Sequence, residues 1–273
     1  MNCSKEPLLA GNFSIRQLDG VLDGKDMVQE LHRHDFFYIL ALKKGNGSHK
    51  IDFEKYKVSD ASIFIMRPGQ VHEITLKNNS EGYLVQFNTD FYKPGDDDSK
   101  ACFRKVTKRA FHQPGDFKKA YRLLSDIYYE FTNKPTHYGN AISSYFHLFF
   151  VELSRSAGEQ TTHGNLYNQQ RLDEFLDLLE IHSVNEKRAS KYAARMNLSL
   201  YQLNAITKAT LGKSCTEVIQ DHILLESKRY LAGTANRVNQ IAYQLGYEDV
   251  SYFTRFFKKH TGYTPELFRQ NLK

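Results

Sequence analysis

The sequence predicts two domains of mixed class: an N-terminal antiparallel β-barrel with α-helices after it, and a C-terminal domain built of helices alone. Three observations predict this. Apolar residues alternate with a period of two over the first third of the chain, and recur at helical spacing beyond Pro114-Gly115. Between Ala157 and Asn168 the periodicity stops in a Gly-, Thr-, Gln- and Asn-rich segment that reads as a linker. The chain has 273 residues, enough for two cores, and 41% hydrophobic against 25% charged residues is the balance of a soluble globular protein. With 19 Phe, 17 Tyr and no Trp, those cores are aromatic ones.

The strand signal begins at Phe36. Phe36, Tyr38, Leu40 and Leu42 share one face, and Phe37, Ile39 and Ala41 the other. Gly45-Asn46-Gly47 marks a turn, and further strands read at Ser48–Phe53, Ser62–Met66, His72–Leu76 and Tyr83–Phe87, separated by Pro68-Gly69 and Asn78-Asn79. Short strands at this spacing suggest an antiparallel sandwich or barrel. Phe117, Tyr121, Leu124, Ile127, Tyr128 and Phe131 then define one amphipathic helix. After Lys134-Pro135 a second runs through Ile142, Tyr145, Phe146, Phe149, Phe150 and Leu153. From Gln169 onward only helical patterns occur. The domain boundaries expected are 1–112 for the barrel, 113–157 for the helical pair, 158–167 for the linker and 168–273 for the helical domain.

The C-terminal domain contains a repeat. Tyr192 to Leu203 and Ile241 to Phe253 each place a small residue (Ala193, Ala242) inside a first helix. Four residues later comes one that tolerates a left-handed backbone (Asn197, Gly246), then a short turn, an N-cap (Ser199, Asp249) and a second helix. A Gly follows nine positions after the central apolar residue in both (Gly212, Gly262), although the turns differ by one residue. This is the pattern of a helix-turn-helix, whose second helix projects its N-terminal side chains into a DNA major groove. Charge agrees. From Ile181 to Lys273 there are 14 Lys and Arg against 7 Asp and Glu, whereas the whole chain carries only +6, so the first 180 residues are near neutral.

The run Ser227-Lys228-Arg229-Tyr230-Leu231, the stretch from Val238 through Asn239-Gln240-Ile241-Ala242 to Gly262-Tyr263-Thr264-Pro265, and Phe268-Arg269 closely resemble the signature of AraC/XylS-type transcription regulators. The resemblance implies a DNA-binding domain with two recognition helices entering successive major grooves of double-stranded DNA. In the second of them Phe253, Phe256 and Phe257 pack inward, leaving Ser251, Tyr252, Arg255, Lys258 and Lys259 for DNA. Arg255 suits a bidentate contact to guanine, and the two lysines suit phosphates. The first unit departs from the family pattern at Ala205, a position often basic, and at Thr207, usually Phe. It is expected to read DNA through Tyr201, Asn204 and Lys208. Thr264-Pro265 and Arg269 read as structural, starting and docking a final helix.

In the N-terminal domain His32-Arg33-His34 precedes the Phe36–Leu42 strand and Pro68-Gly69-Gln70-Val71-His72 ends a later one. This resembles the cupin-like sensor domain often joined to such DNA-binding domains. In metal cupins two such histidines, a Glu shortly after them and a later His hold one metal. This chain has no carboxylate near Tyr38. No metal or cofactor is therefore expected, and His32, His34, Tyr38 and His72 are expected to line a pocket for a small-molecule effector. The resemblance further implies a homodimer formed through the helical pair and, for an activator, contact with RNA polymerase. Two other readings are a metal-dependent cupin enzyme with a helical appendage and an effector-independent dimeric regulator.

No nucleophile elbow, P-loop or dinucleotide fingerprint is present, so no enzyme class is indicated. Cys3, Cys102 and Cys215 are too few and too far apart for a zinc or disulfide framework. With neither a signal-peptide pattern nor an apolar run of about 18 residues, the expectation is a cytoplasmic protein without a membrane partner.

Overall fold

The computed structural model describes residues 12–92, 94–115, 117–156 and 166–272. The chain divides into two compact units, Met1–Glu159 and Gln160–Lys273. The segment read as a linker lies outside the described residues up to 165.

The first unit pairs two antiparallel sheets. One has five strands in the order β1 (Phe13–Gln17), β8 (Glu81–Phe87), β3 (Phe37–Lys44), β6 (Ser62–Met66) and β9 (Phe111–His112). The other has four: β2 (Met27–Arg33), β7 (Val71–Leu76), β4 (Gly47–Ile51) and β5 (Glu54–Val58). Burial explains the unbroken apolar run of β3. Tyr38, Leu40 and Leu42 face the second sheet in a core with Ile51, Phe64, Ile74 and Leu76. Phe37, Ile39 and Ala41 face away, into a second core with the helices α3 (Phe117–Asn133) and α4 (Tyr138–Ser156). A strand covered on both faces has no reason to alternate. The helical pair thus spends its apolar stripes, including Leu124, Ile127, Phe146 and Phe150, on the outer face of the five-stranded sheet.

The strand expected at Ser48–Phe53 ends at Ile51. Asp52 and Phe53 both adopt positive φ, 48° and 74°, and make the two-residue turn of a hairpin whose return strand is β5. That strand, Glu-Lys-Tyr-Lys-Val, was not predicted; it is an edge strand, and only Val58 of it is buried. The pattern also gave no warning of β1, β2 and β9, nor of the helices α1 (Leu18–Leu22) and α2 (Asp97–Thr107).

The second unit is helical throughout its described residues: α5 (Leu166–His182), α6 (Ala189–Arg195), α7 (Leu200–Leu211), α8 (Cys215–Gly233), α9 (Val238–Gln244), α10 (Val250–Thr261) and α11 (Pro265–Gln270). Its core runs from Leu172, Phe175 and Leu179 through Tyr192, Leu203 and Ile219 to Ile241, Phe253 and Phe257. The helix ends are made as the sequence suggests. Thr264 caps α11 by accepting from the Leu267 amide. Arg269 docks that helix by donating to the carbonyls of Leu231 (3.1 Å) and Asn236 (2.6 Å). Among the described residues no helix is long and apolar enough to cross a membrane.

Candidate functional site

Two places concentrate chemistry, one in each unit. In the second, α6–α7 and α9–α10 are joined by the same device. Leu198 N–H donates to Ala193 O and Asn197 N–H to Ala194 O (2.9 and 3.1 Å). In the later pair Tyr247 N–H donates to Ala242 O and Gly246 N–H to Tyr243 O (both 2.9 Å). These are Schellman closures, which satisfy the last carbonyls of the leading helix and need a left-handed residue at the turn. Asn197 (φ 54°) and Gly246 (φ 72°) supply it. Ser199 then caps α7, accepting from Gln202 N–H while the Gln202 side chain accepts from Ser199 N–H, and Asp249 caps α10 by accepting from Ser251 N–H. Both trailing helices end on a left-handed glycine, Gly212 and Gly262.

On α10, Phe253 and Phe257 are fully buried and Phe256 packs against the core. Ser251, Tyr252, Arg255, Lys258 and Lys259 are exposed. Arg255 is 71% exposed and lies 3.8 Å from Asp249, a loose ion pair that leaves its guanidinium available. On α7, Tyr201 is 83% exposed, and Lys208 is exposed as well. Asn204 differs. Its Nδ2 donates to Leu200 O (3.1 Å) and its Oδ1 accepts from Cys215 N–H (3.0 Å), so both ends of the amide are engaged in holding the start of α8. Thr207 is fully buried and donates to Asn204 O (3.2 Å), standing where α10 has Phe257.

The second place is one end of the paired sheets. His32 is the last residue but one of β2, His34 follows in the turn to β3, and His72 is the second residue of β7; the antiparallel register sets His32 opposite His72. Their Nε2 atoms form a near-equilateral triangle of 3.0 Å (His32–His34), 3.1 Å (His34–His72) and 3.0 Å (His32–His72). His32 Nδ1 donates to Glu30 O at 2.6 Å. His72 Nδ1 lies 2.9 Å from Nε2 of His49, on β4. His49 and His72 are fully buried, and His32 and His34 partly so. Phe36 stacks on the His34 ring, and Tyr38 lies parallel to it. The four residues predicted as a ligand set are therefore brought together.

His49 was not singled out from the sequence. The signal that finds it is alternation: His49 and Ile51 point inward from β4 as His72, Ile74 and Leu76 do from β7, and register sets Ile51 opposite His72. Burial dominates the electrostatics here. It lowers the His34 imidazole to about 4 and that of His49 to about 3, with His32 adding repulsion, and it pushes His72 down further still. Burial thus favours the neutral form of His34, His49 and His72, in which imidazole binds a metal or accepts a hydrogen bond.

Known proteins match both places. Residues 192–271 match the family described as a helix-turn-helix domain, and residues 23–130 the AraC-like ligand binding domain. Together these cover well over half of the chain. The HTH-type transcriptional regulator YfiF of Bacillus subtilis is 23% identical, with 89% of this chain and 79% of that one covered. The HTH-type transcriptional activator RhaS of Citrobacter koseri is 22% identical, with 88% and 87% covered. Among solved structures, ToxT of Vibrio cholerae aligns over 96% of this chain and 98% of its own at 14% identity, with a TM-score of 0.46.

Proposed function

The chain belongs to the AraC family of transcriptional regulators, and from that premise we propose that it reads DNA chiefly through α10, under the control of a ligand held at the histidine end of its N-terminal unit. The observation that carries the DNA reading is the division of α10 into two faces. One face is buried in the core through Phe253 and Phe257, while the other presents Arg255, Lys258 and Lys259 to solvent. A helix fixed by its apolar side and basic on the other is what a major groove accepts.

In this reading Arg255 contacts a guanine edge, Lys258 and Lys259 contact phosphates, and Ser251 and Tyr252 meet DNA at the N-terminal end of the helix. The first unit adds contacts from Tyr201 and Lys208. Asn204 supports α7 from behind, since its amide is already engaged. His32, His34, Tyr38 and His72 hold the ligand, whose differential affinity for two states of the protein provides the control. No catalytic role is assigned. Homodimerisation through the outward surfaces of α3 and α4, where Tyr129 and Leu148 are exposed, belongs to the same reading. So do a cytoplasmic location and, for an activator, contact with RNA polymerase.

The test is selection of bound duplexes from a random-sequence library with the full chain, followed by titration of the winning sequence at several salt concentrations. The expected result is one enriched motif with two blocks of preference about one helical turn apart and an affinity that falls steeply with salt. Recovery of the input library without enrichment would overturn the reading.

A further inference from the structure

We propose that His32, His34 and His72 form a binding site for one divalent transition-metal ion of the imidazole-preferring kind, such as zinc, cobalt or nickel, and that this ion is the ligand, or the anchor of the ligand, of the N-terminal unit. The inference rests on the reading of that unit as the sensing half of the protein, and it replaces the sequence-based expectation of no metal.

Geometry is the first argument. Three ring nitrogens converge with their ligating atoms within 4.8 Å of one another, and the edges of the Nε2 triangle are 3.0, 3.1 and 3.0 Å. An ion about 2.1 Å from each of three imidazole nitrogens sets them about 3.0 Å apart at right angles and about 3.4 Å apart at tetrahedral angles. The observed triangle has the size of one face of an octahedral site. Such a face leaves the remaining positions open for water or for an anionic ligand, because three neutral imidazoles do not offset the charge of the ion.

The second argument is that hydrogen bonding alone does not account for the triangle. Each bond needs one N–H and one lone pair, and each Nε2 offers one or the other. Around three nitrogens at least one edge must join like with like. One ring is fixed by its outer contact: His32 Nδ1 carries a proton, donated to Glu30 O. Whatever tautomers His34 and His72 adopt, one pair of lone pairs or one pair of N–H groups then faces across about 3 Å. A cation at the centre resolves every edge, since all three nitrogens then act as lone-pair donors.

The surroundings complete the site. Metal-bound histidines commonly donate their other ring N–H to a carbonyl or another acceptor, which fixes the ring. His32 does so to Glu30 O, and His49, fully buried, lies against the far nitrogen of His72. Where a metal cupin has a carboxylate, this chain has Tyr38, and the group that converges is His32, His34 and His72, so all three ligands are imidazoles. That donor set favours borderline ions over magnesium or calcium.

The experiment uses the full chain, stripped with a chelator and titrated with cobalt(II) alone, then with zinc(II) in competition. The expected result is one equivalent per chain, visible d–d absorption that zinc abolishes, and affinity reduced at least about 100-fold in His34→Gln and His72→Gln. His49→Phe, which removes only the orienting contact, is expected to weaken binding about 10- to 100-fold. His147→Ala, outside the cluster, should bind as the parent does. Because a variant can fail to fold, the imidazole nitrogens of the unsubstituted chain are followed by NMR, where zinc should move the Nε2 resonances of three histidines. Substoichiometric binding, folded His34→Gln and His72→Gln variants that bind with parental affinity, or unmoved Nε2 resonances would each overturn the site. DNA binding by the stripped and by the zinc-loaded protein is measured in parallel; its absence from both breaks the regulator reading and leaves the metal titration to stand by itself.

Discussion

The first helix-turn-helix, α6–α7, and the second, α9–α10, share a backbone and differ in what they display. Both close with the same pair of Schellman bonds, both bury an Ala in the leading helix, and both trailing helices are 12 residues long and end on a left-handed glycine. Yet Ala205, Lys208 and Ala209 on α7 stand where α10 has Arg255, Lys258 and Lys259, all six exposed. Inside, Thr207 stands in place of Phe257 with no change in the length of the helix or in its glycine C-cap. Buried size, caps and turn stereochemistry specify the motif. The exposed face is not constrained by folding, so its chemistry can be spent on recognition in one copy and withheld in the other.

The largest effect should come from the turns themselves. Gly246 has φ 72°, and a Cβ there would lie 1.8 Å from the Val184 carbonyl oxygen, while Lys187 Nζ donates to the carbonyls of both Val184 and Gly246 (3.0 Å each). Gly246→Ala therefore combines a strained backbone with a clash against main chain, and should destabilise the C-terminal unit by about 3 kcal/mol or more. Asn197→Ala meets the stereochemical penalty alone, about 1 kcal/mol. Denaturant unfolding of the two variants measures this; equal losses would mean that the second turn is no more constrained than the first.

Recognition should separate the copies next. Arg255→Ala is expected to lower discrimination at one base pair by about 1–3 kcal/mol. Tyr201→Ala, lacking a bidentate partner, should cost less. Competition binding against single-base variants of the selected site distinguishes them. A uniform loss over all variants would reassign Arg255 to a phosphate. The lysines should act differently: Lys258→Ala with Lys259→Ala should reduce the slope of log affinity against log salt by about 2, and Lys208→Ala by at most about 1. Slopes that change equally would erase the proposed asymmetry.

The sequence was most legible where one constraint dominates. The two turns required Asn197 and Gly246 at positive φ, and the apolar phases of α3 and α4 were fixed by a single sheet that both cover. It was least legible where constraints conflict or act across the chain. Strand β5 is a short edge strand in which only Tyr56 and Val58 turn to the core, so the alternation in its Glu-Lys-Tyr-Lys-Val sequence rests on two residues. The histidine cluster depends on the register of β2, β4 and β7. Local reading found His32, His34 and His72 by their motifs but had no way to place their nitrogens about one point, or to see His49 behind them.

The smallest effect distinguishes the starts of the two leading helices. The Glu186 carboxylate accepts from Arg188 Nε (3.0 Å) and from the amides of Lys187 (3.1 Å) and Arg188 (2.9 Å), just ahead of α6. At the corresponding end of α9 the acceptor is neutral: Gln240 Oε1 takes Arg237 N–H at 2.8 Å. The Arg188 side chain, with the backbone amides, lowers the Glu186 carboxyl from 4.5 to about 2. A carboxylate lowered in the folded state stabilises fully above its unfolded value and loses that contribution as pH falls through the folded one. The start of α6 should therefore weaken between about pH 4.5 and 2, by no more than about 1 kcal/mol given the exposure of Arg188, while the start of α9 does not respond. Amide exchange at the two helix starts across this range reads the difference. Glu186→Gln should remove the pH dependence from α6 and leave α9 unchanged. If the parent and the variant lose protection at α6 in the same way, the asymmetry at the helix starts has no electrostatic origin.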